Sequence, residues 1–220
     1  MEAMFLEARK KIKINDNSLK LLDELPEKIG IISTVQYLNL IPKIKEYLEK
    51  KGKKVFTEKG RYALHEGQIL GCDVIAAEKV KMKVDCFLMI GSDYFHYSPA
   101  LFIKKPLFIF SPEANVFKRI DEKEIEKLRI KKKAALMKFH HADKIGIIVS
   151  TKPGQHYLKS ALELKKDLEK KGKKAFLFIC DSINIKEIEN FDCKAWINTS
   201  CPAMFMEPEI LNIKDINLRY

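Results

Sequence analysis

KIGIISTVQYLNLIPKIKEYLEKKGKKVF (residues 28–56) and KIGIIVSTKPGQHYLKSALELKKDLEKKGKKAF (residues 144–176) are two versions of one theme. Both open on KIGII and arrive at EKKGKK. Farther along, Asp85-Cys86-Phe87-Leu88-Met89-Ile90-Gly91-Ser92 is echoed by Asp192-Cys193-Lys194-Ala195-Trp196-Ile197-Asn198-Thr199-Ser200. The copies are offset by roughly 110–120 residues, the size of a domain and not of a solenoid repeat. In each copy a short apolar run, residues 29–32 or 145–149, is bounded by polar residues, the pattern of a buried parallel strand. Tyr37, Leu40, Ile44 and Leu48 in one copy, and Tyr157, Ala161, Leu164 and Leu168 in the other, recur at helical spacing. Gly52 and Gly172 stop these helices after a lysine-rich last turn. A second strand follows at residues 55–57 or 175–179, and a third begins at Cys86 or Lys194. A fourth is expected at residues 107–110. Strands alternating with helices predict α/β architecture: two homologous domains with parallel sheets flanked by helices. The expected bounds are residues 26–120 and 144–220, joined by a charged linker helix over 121–143.

Composition agrees with a folded chain. Of 220 residues, 46 % are hydrophobic and 32 % charged, which excludes disorder over most of the length. No run approaches the ~20 apolar residues of a membrane span, and MEAMFLEARKKIKIN lacks the apolar stretch of a secretory signal. No membrane association and a cytoplasmic location are therefore expected. Five cysteines, an odd number in such a chain, argue against a disulfide framework. Lys plus Arg outnumber Asp plus Glu by 41 to 30, giving +11, mostly as lysine blocks at 50–54, 131–133 and 170–174. These blocks suit solvated helix ends. No RNP-type, zinc-finger or helix-turn-helix pattern accompanies them, so no specific nucleic-acid partner is expected.

Open α/β sheets bind ligands beyond the C-terminal ends of their strands. The segments there are Ser33-Thr34 and residues 66–73, 91–98, 150–155 and 199–204. Cys72 lies in one such turn, entering a helix, and Cys201 in another, directly before Pro202. Cys86, Cys180 and Cys193 sit in or beside apolar strands and read as buried thiols. His140 and His141 close the linker helix, and His65 and His156 have no partner at ligand spacing. His96, on a loop with glycine and aromatic residues, is as compatible with ligand contact as with a structural role. CxxC spacing, the three-cysteine CxxxCxxC loop, a P-loop and GxGxxG are all absent. No residue stands out as an acid, a base or a nucleophile.

GQILGC (67–72), IGSDYFHY (90–97), STKPGQ (150–155) and NTSCP (198–202) occur in this order and cover essentially the whole chain. Together they resemble the archaeal diphthamide synthase subunit, the family behind eukaryotic subunits one and two of the same enzyme. The resemblance implies three homologous α/β domains related by a pseudo-threefold duplication, with one cysteine from each converging on a [4Fe-4S] cluster. It implies noncanonical cleavage of S-adenosylmethionine to a 3-amino-3-carboxypropyl radical. That group is added to a histidine of translation elongation factor 2, the first step of diphthamide formation.

Carried over residue by residue, Cys72 and Cys201 are the implied metal ligands. Gln68, Gly91, Ser92, His96 and Gln155 match the loops around the cofactors. Residues 1–25 are expected as a remnant of the first domain, with MEAMFLEARKKIK resembling its last strand and exit. The first domain's own cysteine is absent, so the expected partners are a second copy of the chain or a separate chain carrying that domain. Elongation factor 2 is the expected substrate. A non-catalytic partner subunit or an inactive remnant of the enzyme is the alternative within the family. Outside it, a sugar- or nucleotide-binding α/β protein would need only the general fold.

Overall fold

The structure is a computed structural model and describes residues 6–71, 73–91, 103–182, 185–201 and 210–216. The chain divides into two compact units, Met1–Ile125 and Glu126–Tyr220.

The first unit holds a five-stranded sheet in the order β2-β1-β3-β4-β5. Its strands are β1 (Lys28–Ser33), β2 (Lys54–Phe56), β3 (Cys86–Ile90), β4 (Leu107–Ser111) and β5 (Val116–Arg119). All pair in parallel except β5, which turns back antiparallel on β4. Helices α1 (Asp16–Lys20), α2 (Ile41–Lys50) and α3 (Ile75–Val80) belong to this unit. Ile41, Ile44 and Leu48 of α2 bury one apolar stripe with Ile29 and Ile31 of β1 and Leu88 of β3. Each such side chain contributes about 2 kcal/mol of apolar burial.

The 20-residue helix α4 (Glu122–His141) carries the chain into the second unit. There a four-stranded, wholly parallel sheet has the order β7-β6-β8-β9. Its strands are β6 (Lys144–Ser150), β7 (Lys174–Cys180), β8 (Ala195–Asn198) and β9 (Ile210–Asn212). Helices α5 (Leu158–Lys170) and α6 (Ile185–Ile188) complete it. Ala161, Leu164 and Leu168 of α5 pack with Ile145, Ile147 and Val149 of β6 and with Ala135 and Phe139 of α4. Among the described residues no helix is long and apolar enough to cross a membrane.

The duplication extends to atomic detail. Gly30 of β1 lies under the Phe87 ring, and a Cβ there would sit 2.6 Å from a ring carbon. Gly146 of β6 lies in the same way under Trp196, where a Cβ would come to 2.3 Å. Both helix stops are built alike: the Lys53 N–H returns to Leu48 O (3.0 Å), and the Lys173 N–H to Leu168 O (3.1 Å). Left-handed Gly52 (φ 78°) and Gly172 (φ 79°) make this closure possible. The next lysine serves the preceding element in each copy. Lys53 Nζ donates to the carbonyls of Asp23 and Leu25, and Lys173 Nζ to those of His140 and Ala142. Part of the 50–54 and 170–174 blocks thus caps carbonyls at the ends of helical segments.

Three expectations are corrected. The first helix is not α-helical from Tyr37; residues Val35–Leu40 form a 3-10 segment and the α-helix begins at Ile41. Pro42 explains this, because in a continuous α-helix its ring would strike the Leu38 carbonyl and it has no N–H to donate. The strand expected near the N-terminus is not formed in its described part. Residues 6–15 have no regular secondary structure, and Leu6 is 84 % exposed. Lys10 is instead tied to the first helical segment, through its N–H to Gln36 O (2.9 Å) and its carbonyl, which accepts from Asn39 Nδ2 (3.1 Å). Neither Cys180 nor Cys193 is buried: β7 is an edge strand, Cys193 precedes β8, and both residues are half-buried.

Candidate functional site

The C-terminal ends of the parallel strands carry the polar residues of each unit. In the first, Ser33 closes β1 fully buried, its hydroxyl donating to Thr34 O (3.0 Å) and Ile90 O (3.2 Å). Its backbone pairs with the following loop: Ser33 N–H to Gly67 O at 2.7 Å and Ile69 N–H to Ser33 O at 2.9 Å. Gln68 is buried between them, and its Oε1 accepts from the N–H groups of Leu64 (2.9 Å) and His65 (3.1 Å). Asp73, 1 % exposed, accepts from the N–H groups of Tyr62, Ala63 and Ile75. Gln68 and Asp73 therefore hold the 60–73 loop in shape. Gly91 follows β3, donates its N–H to Phe110 O (2.9 Å) and lies against the Tyr37 ring. Cys72, Ser92 and His96 lie outside the described residues.

The N-terminal segment crosses to these loops. His65 Nε2 and Glu7 Oε1 are 2.5 Å apart, and Arg9 pairs with Glu7 at 2.8 Å. Lys10 Nζ bonds Glu113 Oε2 (2.9 Å), which also accepts from the Tyr37 hydroxyl (2.9 Å). The hydrogen bond with His65, then that from Arg9, holds the Glu7 carboxyl below the ordinary carboxylate range. Lys10 and Tyr37 do the same for Glu113.

In the second unit the corresponding edge is a buried polar network. The Ser150 N–H donates to Ser200 Oγ (2.9 Å), and Thr199 Oγ1 donates to Ile148 O (2.8 Å). Asn198, fully buried at the end of β8, accepts from the Ser200 N–H (2.8 Å) and donates to the Cys201 carbonyl (3.0 Å). His156 Nδ1 donates to Ser150 O (2.8 Å). In the loop after β6 the Gln155 N–H closes a turn on Lys152 O, with Gly154 left-handed (φ 75°). The Gln155 Oε1 is buried and has no hydrogen-bond partner among the described residues. This orphaned acceptor and the loop thiol of Cys201 follow neighbouring strands of one sheet.

The thiols sort by environment. Burial, then Asp85, pushes the Cys86 thiol up to about 12. Burial also raises Cys180, aided by Asp181, and Cys193, aided by Asp192. Burial disfavours the thiolate at all three. Cys201 is half-buried on the loop that follows β8. Among the described residues no three or more His, Cys, Asp or Glu gather as a metal site. A loop thiol such as that of Cys201 is the donor type that iron–sulfur clusters take.

Sequence reasoning missed the Asn198–Ser200–Ser150 network and the Lys10–Tyr37–Glu113 group. The signal for the first was present: Asn198 is a polar residue closing an otherwise apolar strand.

Fold and site together define a duplicated α/β protein whose loops at the C-terminal sheet edges carry a polar network and a cysteine. Residues 1–207 match the model of the family described as "Putative diphthamide synthesis protein", and the chain belongs to that family. It is 32 % identical over 185 residues to the 2-(3-amino-3-carboxypropyl)histidine synthase of Pyrococcus horikoshii, covering 83 % of this chain and 52 % of that protein. The protein of the same description from Methanocaldococcus jannaschii is 27 % identical over 193 residues, covering 86 % of this chain and 49 % of its own length. The chain thus spans about half the length of these curated relatives. The crystal structure of Pyrococcus horikoshii Dph2 superposes with a TM-score of 0.73 at 28 % identity, covering 92 % of this chain and 61 % of that one. Dph2 with its 4Fe-4S cluster gives a TM-score of 0.71 at 29 % identity, covering 90 % and 60 %.

Proposed function

We propose that the chain acts in the first step of diphthamide biosynthesis. The reaction is transfer of a 3-amino-3-carboxypropyl group from S-adenosylmethionine to a histidine of translation elongation factor 2, in the cytoplasm. The observation that carries this reading is the coincidence of the family match over residues 1–207 with Cys201 on the sheet-edge loop. Residues 26–120 and 144–220 act as the family's second and third domains, with 121–143 as the linker between them. Cys72 and Cys201 each supply a thiolate to a [4Fe-4S] cluster. A further thiolate comes from a loop of the family's first domain, outside residues 1–220.

When bound, the cluster supplies the electron that cleaves S-adenosylmethionine. This chain's residues bind and orient. The 60–73 loop, set by Gln68 and Asp73, fixes the backbone on either side of Cys72. Gln155 offers a desolvated amide oxygen, suited to the ammonium or a hydroxyl of the methionine cofactor. Gly91, Ser92 and His96 line the same cofactor's loops.

The test is anaerobic reconstitution of the full chain with ferrous iron and sulfide, with and without a protein carrying the first domain. Iron and sulfide content, S-adenosylmethionine cleavage and the mass of elongation factor 2 are then measured. Cluster, cleavage and a modified histidine are expected in the presence of the added protein. A cluster without cleavage would favour the non-catalytic partner reading. No cluster under any condition would overturn iron–sulfur function.

A further inference from the structure

In the first unit, β1 and β3 pair Gly30 with Phe87 and Ile32 with Met89; in the second, β6 and β8 pair Gly146 with Trp196 and Ile148 with Asn198. The buried apolar Met89 is thus replaced by a buried amide, Asn198, both at 0 % exposure. An amide is costly in such a place unless every polar atom is bonded. Asn198 meets that condition. Its Oδ1 accepts from the Ser200 N–H (2.8 Å), and its Nδ2 donates to Cys201 O (3.0 Å) and to Asn212 Oδ1 (2.9 Å). The pattern fixes the orientation of the amide, since two partners are acceptors and one is a donor. Two of the three bonds hold the backbone that leads into Cys201.

We infer that Asn198 is a positioning residue: it fixes the peptide segment of Cys201 and so holds that thiol ready for the iron–sulfur cluster. The inference rests on the cluster reading above but makes a separate claim, that the poise of Cys201 is set in the apo-protein by one buried amide. Asn212 bonds the same Nδ2 through its own side-chain oxygen.

The experiment compares the parent chain with Asn198→Ser, Asn198→Leu and Asn212→Ala. Serine is too short to span both partners, leucine keeps the volume without the bonds, and Asn212→Ala leaves the bond to Cys201 in place. The first readout is alkylation of the apo full chain by iodoacetamide, followed at the Cys201 and Cys193 peptides by mass spectrometry. Both Asn198 variants should alkylate Cys201 about tenfold faster than the parent, with Cys193 within twofold, and Asn212→Ala should stay within twofold at both. The second readout is iron and sulfide per chain after reconstitution, with the electron paramagnetic resonance of the reduced cluster. Asn198→Ser should load less than half the parent's iron and show an altered signal, whereas Asn212→Ala should match the parent. Equal Cys201 alkylation in parent and Asn198 variants overturns the inference, as does an equal acceleration in Asn212→Ala or at Cys193. If the parent loads no cluster even with the protein carrying the first domain present, the cluster reading fails, while the alkylation pattern still decides the role of Asn198. If leucine prevents folding, serine carries the comparison.

Discussion

Gly146→Ala tests the packing of the second unit. The new Cβ would lie 2.3 Å from Cε3 and Cζ3 of Trp196 and 2.8 Å from Cδ2. Carbon atoms settle at about 3.5–4.0 Å, so the indole must shift by more than about 1 Å. It has little room. Phe178 packs on it with ring centroids 4.7 Å apart and Phe191 at 6.2 Å, and Trp196 itself is 8 % exposed. Overpacking of this kind costs about 1–3 kcal/mol, and a rigid bicyclic ring wedged against a β-strand belongs at the upper end, about 3 kcal/mol. With a urea dependence of about 2 kcal/mol/M, the midpoint falls by about 1.5 M. Trp196 is the only tryptophan in the sequence, so its fluorescence during a urea titration reports on the second unit. Adding Trp196→Leu to Gly146→Ala should recover part of the loss, read by circular dichroism. A fluorescence midpoint within 0.3 M of the parent, a margin of about 0.6 kcal/mol, would refute the close approach.

Cys201→Ala and Cys72→Ala should each abolish cluster binding, while Cys180→Ala should leave it nearly unchanged, as measured by iron and sulfide analysis. Cys86, its thiol pushed up to about 12, should resist iodoacetamide at pH 8 in the native chain and react only on unfolding, which peptide mass spectrometry resolves. Asp73→Ala leaves three N–H groups without their acceptor in a site 1 % exposed, and should cost about 3 kcal/mol in chemical denaturation followed by circular dichroism. Glu7 and Glu113 are held below the ordinary value of 4.5, so their contacts are fully present above it and are lost as pH falls through the lowered values. Hydrogen exchange at the Lys10 amide, corrected for intrinsic rate, should therefore keep its protection down to about pH 4.5 and lose it as the pH falls further.

Central parallel strands are the most legible elements because both of their faces are buried. KIGII in each copy announces itself as a continuous apolar run, and its repetition exposed the duplication. Edge strands deceived in two directions. KAFLFIC has the composition of a central strand, so Cys180 read as buried, yet β7 has a neighbour on one side only. Strands β5 and β9 are three or four residues long, too short to carry a period. The loop position of Cys201 was legible from its place after a strand. What holds it was not, because Asn198 finds Asn212 only through the β8–β9 register, and Ser200 meets Ser150 across fifty residues of chain. Gln155 was singled out by its motif, but only the fold reveals that its amide oxygen is orphaned.

The edge strand also bears on the chain before it folds. Residues 174–180 combine high β-propensity with a single charge and no proline, the profile of a segment that stacks into cross-β fibres. That charge is Lys174; Lys170, Lys171 and Lys173 stand immediately upstream and Asp181 immediately downstream. In an in-register stack, identical lysines of successive molecules would lie about 4.8 Å apart, each pair repelling by about 1 kcal/mol even in water. Four such rows oppose every molecule added to a growing fibre. The lysine cluster that terminates α5 in the native protein thus acts as a gatekeeper for nascent chains, where no helix has yet formed to be capped.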